Sequence, residues 1–228
     1  VVTELQLVNT KLFPSPVDVV SSFIELTLSG ELLEHTWASS KRALAGFVIG
    51  GLIGVFLGFL NGLYPIAEEY LDSTIQMIRN IPHLALIPVV IIWFGIGEEG
   101  KVFLVALGVF FPIYINTFYG IRSIDKGLIE MGKVYGLKNL SLFKQVILPG
   151  SLPAILVGVR QSLGIMWLTL IVSETVAVDS GIGYMAMNAR DFMQMDVILI
   201  SIIIYAVLGK VSDLIAKGFE NRMLRWRT

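Results

Sequence analysis

The chain has 228 residues, of which 55% are hydrophobic and only 15% charged, and its mean hydropathy is +0.76. A soluble domain carries about 25% charge, so these apolar side chains face something other than water. A net charge of −1 supplies no basic field for nucleic acid, the lack of Cys excludes thiolate metal sites and disulfides, and His35 and His83 alone do not make a histidine metal cluster.

No signal peptide opens the chain. It begins Val1-Val2 rather than with Met, so an upstream piece carrying one more span is expected. Residues 1–40 read as an extracytoplasmic or interfacial lead-in. Ser15-Pro16 followed by Asp18 marks a helix start.

A helix needs about 20 mostly apolar residues to cross a bilayer, because its backbone polar groups must be satisfied within the segment. Residues 43–63 meet that test. Gly46, Gly50, Gly51, Gly54, Gly58 and Gly62 recur there at spacings of about four and are expected in a stripe on one face, where small residues let a second helix come close. Residues 81–97 form a second apolar segment, short and interrupted by Pro82 and Pro88, so a break is expected. Three more follow at 102–119, 153–172 and 197–216. The expectation is one all-α, polytopic membrane domain of about five spans.

The interval 122–151 carries Arg122, Lys126, Lys133, Lys138 and Lys144, which puts it in the cytoplasm. The carboxyl tail, with Lys217, Arg222, Arg225 and Arg227, falls on the same side. The interval 173–196, with Arg190 alone against Glu174, Asp179, Asp191 and Asp196, falls outside. Lys41 and Arg42 then fit poorly, because they flank the outer end of the first span. Gly181-Ile182-Gly183 reads as a tight outer turn. A phosphate cradle would need a preceding strand and a Walker-type Lys.

Within the cytoplasmic interval, Glu130-Met131-Gly132-Lys133-Val134-Tyr135-Gly136 is followed after nine residues by Val146-Ile147-Leu148-Pro149. Gly136 suits a left-handed helix end. A second short helix is expected from about Leu140 to Val146, stopped by Leu148-Pro149, which turns the chain back to the membrane. Leu137, Leu142 and Phe143 are expected to be exposed on this elbow and covered by a partner.

This pattern resembles the EAA loop of binding-protein-dependent ABC importer permeases. Glu130, Gly136, Leu148 and Pro149 stand at the matching spacing, while Met131 and Gly132 replace the two small residues. The runs IQMIRNIPHLALIPVVIIWFGIG, FPIYINTFYGIRSID and MWLTLIVSETVAVDSGIGYMAMNAR extend the resemblance over essentially the whole chain. They are similar to the nitrate, sulfonate and taurine group, with permeases for aliphatic sulfonates nearest. The resemblance implies the MetI-like fold of type I importers and a bacterial cytoplasmic-membrane location. It also implies a second permease copy in a homodimer, a pair of ATPase subunits engaged by the elbow, and an extracytoplasmic substrate-binding protein. ATP hydrolysis then resides on the partner, and this chain needs no cofactor. Nitrate, taurine, bicarbonate or a thiamine-precursor pyrimidine are the alternative cargoes. An intramembrane enzyme finds no HExxH, paired membrane Asp or Ser–His set in the sequence.

Polar residues at membrane depth are candidates for the substrate path. Arg160 guides an anion, or else snorkels or pairs with a carboxylate. Arg79, Asn80 and His83 stand at the proline-broken segment, as donors at a broken helix end or as loop caps. Trp167 and Glu174 follow Arg160 along the fourth segment. Glu174 is expected at its outer end, at a gate or receptor contact. Gln161, Ser162 and Thr169 are spaced along the same segment, and Asn116 and Tyr114 are weaker candidates.

Overall fold

A computed structural model describes residues 14–176 and 179–227 of the chain, without the side chains of His83, Leu84 and Arg227. The early part of the lead-in and the His83 side chain therefore lie outside the described residues. The described residues are almost entirely helical, with no strand among them.

Helix α1 (Pro16–Leu28) starts where expected. Ser15 Oγ accepts from the Asp18 N–H, and the Asp18 carboxylate accepts from the Ser15 N–H, so two backbone donors at the helix start are satisfied reciprocally. Gly30, in the left-handed region at φ 83°, turns the chain into α2 (Glu31–Leu63). This 33-residue helix begins well before the expected apolar stretch. There follow α3 (Pro65–Arg79), a 3-10 turn (His83–Leu86), α4 (Ile87–Phe94) and α5 (Glu98–Arg122). Beyond a bend lie α6 (Lys126–Val134), α7 (Asn139–Leu142) and a π segment (Phe143–Ile147) that leads into α8 (Leu148–Glu174). Helices α9 (Ile182–Asp191) and α10 (Met195–Met223) complete the order.

Four helices among the described residues are long and apolar enough to span: α2, α5, α10, and α8 with its lead-in from Asn139. The segment at 81–97, expected as a fifth such helix, is the 3-10 turn plus an eight-residue α4. At 1.5 Å per residue α4 is about 12 Å long, against about 30 Å of hydrocarbon. The chain nevertheless recrosses here. Helices α2 and α5 run parallel, since Gly46 faces Val105, Gly54 faces Phe110 and Ile113, and Gly62 faces Ile121. Parallel neighbours require the intervening chain to return to the starting end. The 15-residue α3 and the short α4 do so as a crossing broken at Pro82. Four helices among the described residues thus have the length and hydropathy of a span, one fewer than expected, and α3 with α4 makes the return between two of them.

The glycine stripe packs as expected. A Cβ at Gly58 would lie 2.6 Å from Thr117 Cβ, and one at Gly50 would overlap the Ala106 carbonyl oxygen. Without those methyl groups the two backbones touch, which maximises dispersion contact where no hydrophobic drive exists. Helix α8 packs antiparallel to α5, with Gly158 against Pro112 and Asn116 and Gly108 against Thr169. Ala43, Val105, Val109, Ile113, Met166, Trp167 and Leu170 form the central cluster of this α2–α5–α8 stack.

Candidate functional site

The elbow is a helical hairpin beyond the shared end of α5 and α8. Asp125 caps α6 by accepting from the Gly127 N–H at 2.8 Å. Gly136 takes φ 85°, a left-handed position that costs an L residue with a Cβ about 1–2 kcal/mol. It closes α6, with the Leu137 N–H donating to the Gly132 carbonyl. Gly132 is buried, and a Cβ there would lie 2.9 Å from Leu142. The small residue lets α6 lie on α7 and the π segment.

Two expectations about the elbow are corrected. Leu148-Pro149 does not stop a helix, because the chain runs through the π segment straight into α8. The Leu148 N–H bonds the Phe143 carbonyl, five residues back. Pro149 and Pro153 withdraw two donors, and the wider helical turn absorbs the resulting shift in register. Nor are Leu137, Leu142 and Phe143 the exposed apolar face. Leu142 is buried beneath α6, Leu137 is half-buried, and Phe143 lies edge-on to Phe59 of α2 at 5.2 Å. The exposed face is Leu128, Met131, Val134, Tyr135 and Leu140, with Val134 85% and Tyr135 80% exposed. Glu130 is exposed on the same helix. The helical spacing of Met131, Val134 and Tyr135 was available in the sequence. What assigned the inner face was the fold-back at Gly136.

At the opposite end, Glu174 is fully buried. Its carboxylate accepts from Arg42 Nη1 at 2.7 Å, the Ser39 hydroxyl, the Tyr205 hydroxyl at 2.9 Å and the Gly183 N–H at 3.0 Å. Arg42 also pairs with Glu98 and donates to the Ser180 carbonyl and hydroxyl. The first N–H groups of α9 are distributed over α2 and α8: Gly181 to His35 Nδ1, Ile182 to Ser39 Oγ, Gly183 to Glu174. A carboxylate placed there meets both the free donors and the positive end of the α9 dipole. Gly181 sits at φ 116°, and a Cβ at Gly183 would lie 2.5 Å from Glu174 Cβ. The outer Gly-Ile-Gly turn is therefore a lid on a buried ion pair. It also resolves the misfit of Arg42 at an outer helix end, because the charge is withdrawn from solvent and paired.

The other path candidates fall into two groups. Arg160 Nε donates to Asp213 of α10 at 2.6 Å. Trp167 donates from Nε1 to Ser212 of α10 at 3.0 Å and packs edge-on to Tyr205. With Glu174 they hold α8 to α10 and α2, and they do not converge on one cavity. Arg79 and Asn80 are exposed at the end of α3, beside the break. Tyr114 joins a chain missed in the sequence: Asn61 Nδ2 donates to its hydroxyl at 2.7 Å, and the hydroxyl donates to Asp72 at 2.6 Å. That chain ties α3 to α2 and α5. Asp72, a lone carboxylate near a span, was the readable signal.

Known proteins resemble this chain in sequence and in fold. The chain is 58% identical over 218 residues to a putative aliphatic sulfonates transport permease protein of Escherichia coli (strain K12), covering 96% of this chain and 83% of that one. It is 46% identical to the protein of the same description in Bacillus subtilis (strain 168), over 100% of this chain and 82% of the relative. A taurine transport system permease protein of E. coli is 32% identical over 99% of this chain and 84% of its own length. Among solved structures, an amino acid ABC transporter with histidines superposes at TM-score 0.69 and 20% identity, covering 89% of this chain and 96% of that one. An inward-facing methionine ABC transporter gives 0.64 at 18% identity, over 80% of this chain and 93% of its own. These two matches show the shared fold. The profile of binding-protein-dependent transport system inner membrane components matches residues 50–225, and the chain belongs to that family.

Proposed function

We propose that this permease conducts aliphatic sulfonates inward, delivered by an extracytoplasmic binding protein and driven by an ATPase that grips the elbow at residues 126–147. The cargo reading rests on the 58% identity to a relative of that description over nearly the whole chain. The coupling reading rests on one observation: the elbow presents Met131, Val134, Tyr135 and Leu140 to its surroundings outside the spans. In water such a patch is costly and marks a protein contact. Lys126, Lys133, Lys138 and Lys144 on the elbow, with Arg222 and Arg225 at the same end of α10, orient it to the cytoplasm.

In this reading two copies of the chain form the path. Closure of the ATPase pair brings the elbows together, and the rigid run from Asn139 to Glu174 carries that motion across the bilayer. The continuous helix through the π segment makes the elbow and α8 one lever. Arg79 and Asn80 flank the path at the broken crossing. The test is uptake by proteoliposomes that hold the permease, its ATPase and its binding protein. ATP-dependent accumulation of an alkanesulfonate is expected, with competing taurine or nitrate without effect. Accumulation of taurine or nitrate in its place would overturn the cargo, and uptake that survives loss of the elbow's apolar face would overturn the coupling.

A further inference from the structure

Gln161 lies midway along α8, between Leu148 and Glu174, and is exposed. Val157 and Leu168 on that face are also exposed, and a Cβ at Gly164 would meet nothing within 4 Å. Asn116 of α5 is its polar neighbour. The Asn116 Nδ2 group donates to the Pro112 carbonyl at 2.8 Å and to Gln161 Oε1 at 3.1 Å. This second bond engages the carbonyl oxygen of the glutamine, and among the described residues no hydrogen bond engages its NH2 group. An amide donor held open at the depth of the bilayer centre is unfavourable against lipid tails, and polar groups placed so face a cavity or a partner.

We propose that Gln161, oriented by Asn116, is the mid-membrane donor that the anionic sulfonate group passes. This rests on the cargo reading given above. A sulfonate is a permanent monoanion with three acceptor oxygens. The two N–H bonds of a neutral amide solvate it without the trapping that a lysine or arginine would cause, and conduction needs binding weak enough to release. Pro112, Ile115 and Tyr119 on α5 flank Asn116, and Val157, Gly164 and Leu168 flank Gln161, while the charge of the adjacent Arg160 is engaged by Asp213 of α10.

The chain has no cysteine, so single thiols report cleanly. In the complex reconstituted with its ATPase and binding protein, Gln161→Cys is expected to react with a water-soluble, sulfonate-bearing thiol reagent, and a transported alkanesulfonate is expected to slow that reaction at least tenfold. Ile202→Cys on the exposed side of α10 is expected to be inert. Gln161→Leu is expected to lower uptake about tenfold, and Gln161→Glu further, by repelling the anion, with the complex still assembled in both. If the wild-type complex transports no alkanesulfonate, the cargo reading fails. If it transports and the thiol of the Gln161→Cys variant is as unreactive as that of Ile202→Cys, or if Gln161→Glu transports normally, the donor role fails.

Discussion

The Arg42 guanidinium and the Glu174 carboxylate lie 2.7 Å apart with both side chains almost wholly withdrawn from solvent. Ser39 belongs to α2 with Arg42, and the remaining partners come from three further helices, Glu98 from α5, Tyr205 from α10 and Gly183 from α9. A buried pair adds little net stability over an apolar substitute, but removing one partner strands the other charge.

Arg42→Met is therefore expected to destabilise the chain by about 3–5 kcal/mol, read as a large drop in thermal midpoint in detergent. Glu174→Gln is expected to cost less, because its amide oxygen still accepts from Tyr205 and Ser39. The double variant is expected to fall well short of the sum of the two, the signature of direct coupling. Strict additivity would refute the coupling.

Two adjacent glycines of α2 separate packing from helix propensity. Gly50→Ala drives a methyl group into the Ala106 carbonyl of α5. A backbone neighbour cannot rotate away, so the cost is expected at or above the upper end of about 1–3 kcal/mol. Gly51→Ala meets only Ile113 Cδ1 at 3.4 Å and is expected to be neutral or to gain up to about 1 kcal/mol. Expression level and thermal midpoint in detergent distinguish the two.

On the elbow, Val134→Asp is expected to abolish co-purification of the ATPase while the permease stays in the membrane, because it charges the most exposed apolar position of the patch without touching the Gly132–Leu142 contact. Gly136→Asp and Glu130→Lys are expected to leave the complex assembled and to uncouple hydrolysis from uptake. Normal uptake in all three variants would remove the coupling role from this hairpin.

Arg160→Leu is expected to leave the thermal midpoint in detergent nearly unchanged, since the Arg160–Asp213 pair is partly open and such pairs contribute little. Substrate affinity in uptake assays is expected to stay within about twofold of the wild type. A loss of affinity near tenfold would return Arg160 to the path.

The capping box of α1 gives a pH test. The Ser15 hydroxyl and N–H hold the Asp18 carboxyl below its ordinary value. A lowered value means the ionised cap contributes above the unfolded-state titration and is lost as pH falls through the folded one. Amide exchange over the first turn of α1 is expected to speed up under acid while the glycine-packed core of α2 stays protected, and Asp18→Asn is expected to flatten that dependence.

The glycine face of α2, the left-handed turn at Gly136 and the start of α1 at Ser15 were legible because each follows from local chemistry. Apolar length, side-chain size, backbone sign and capping need no knowledge of distant residues. The same local reading counted 81–97 as a span in its own right, since hydropathy registers apolar content and not the broken path that α3 and α4 share through Pro82. It also took Leu148-Pro149 as a stop, since proline inside a helix is a breaker until a wider turn takes up the missing bonds.

By itself the sequence determined that this is a helical membrane protein with a protruding glycine-hinged elbow, because burying a backbone in lipid leaves the helix as its solution. Only the tertiary structure decided which polar side chains are spent on holding helices together. Ser39 and Arg42 are 135 and 132 positions from Glu174 in the chain, and electrostatic pairing acts through space, so a parallel α2–α5 pair and a folded-back α9 had to exist before Glu174 could be read as a buried anchor and Gln161 as the donor left open.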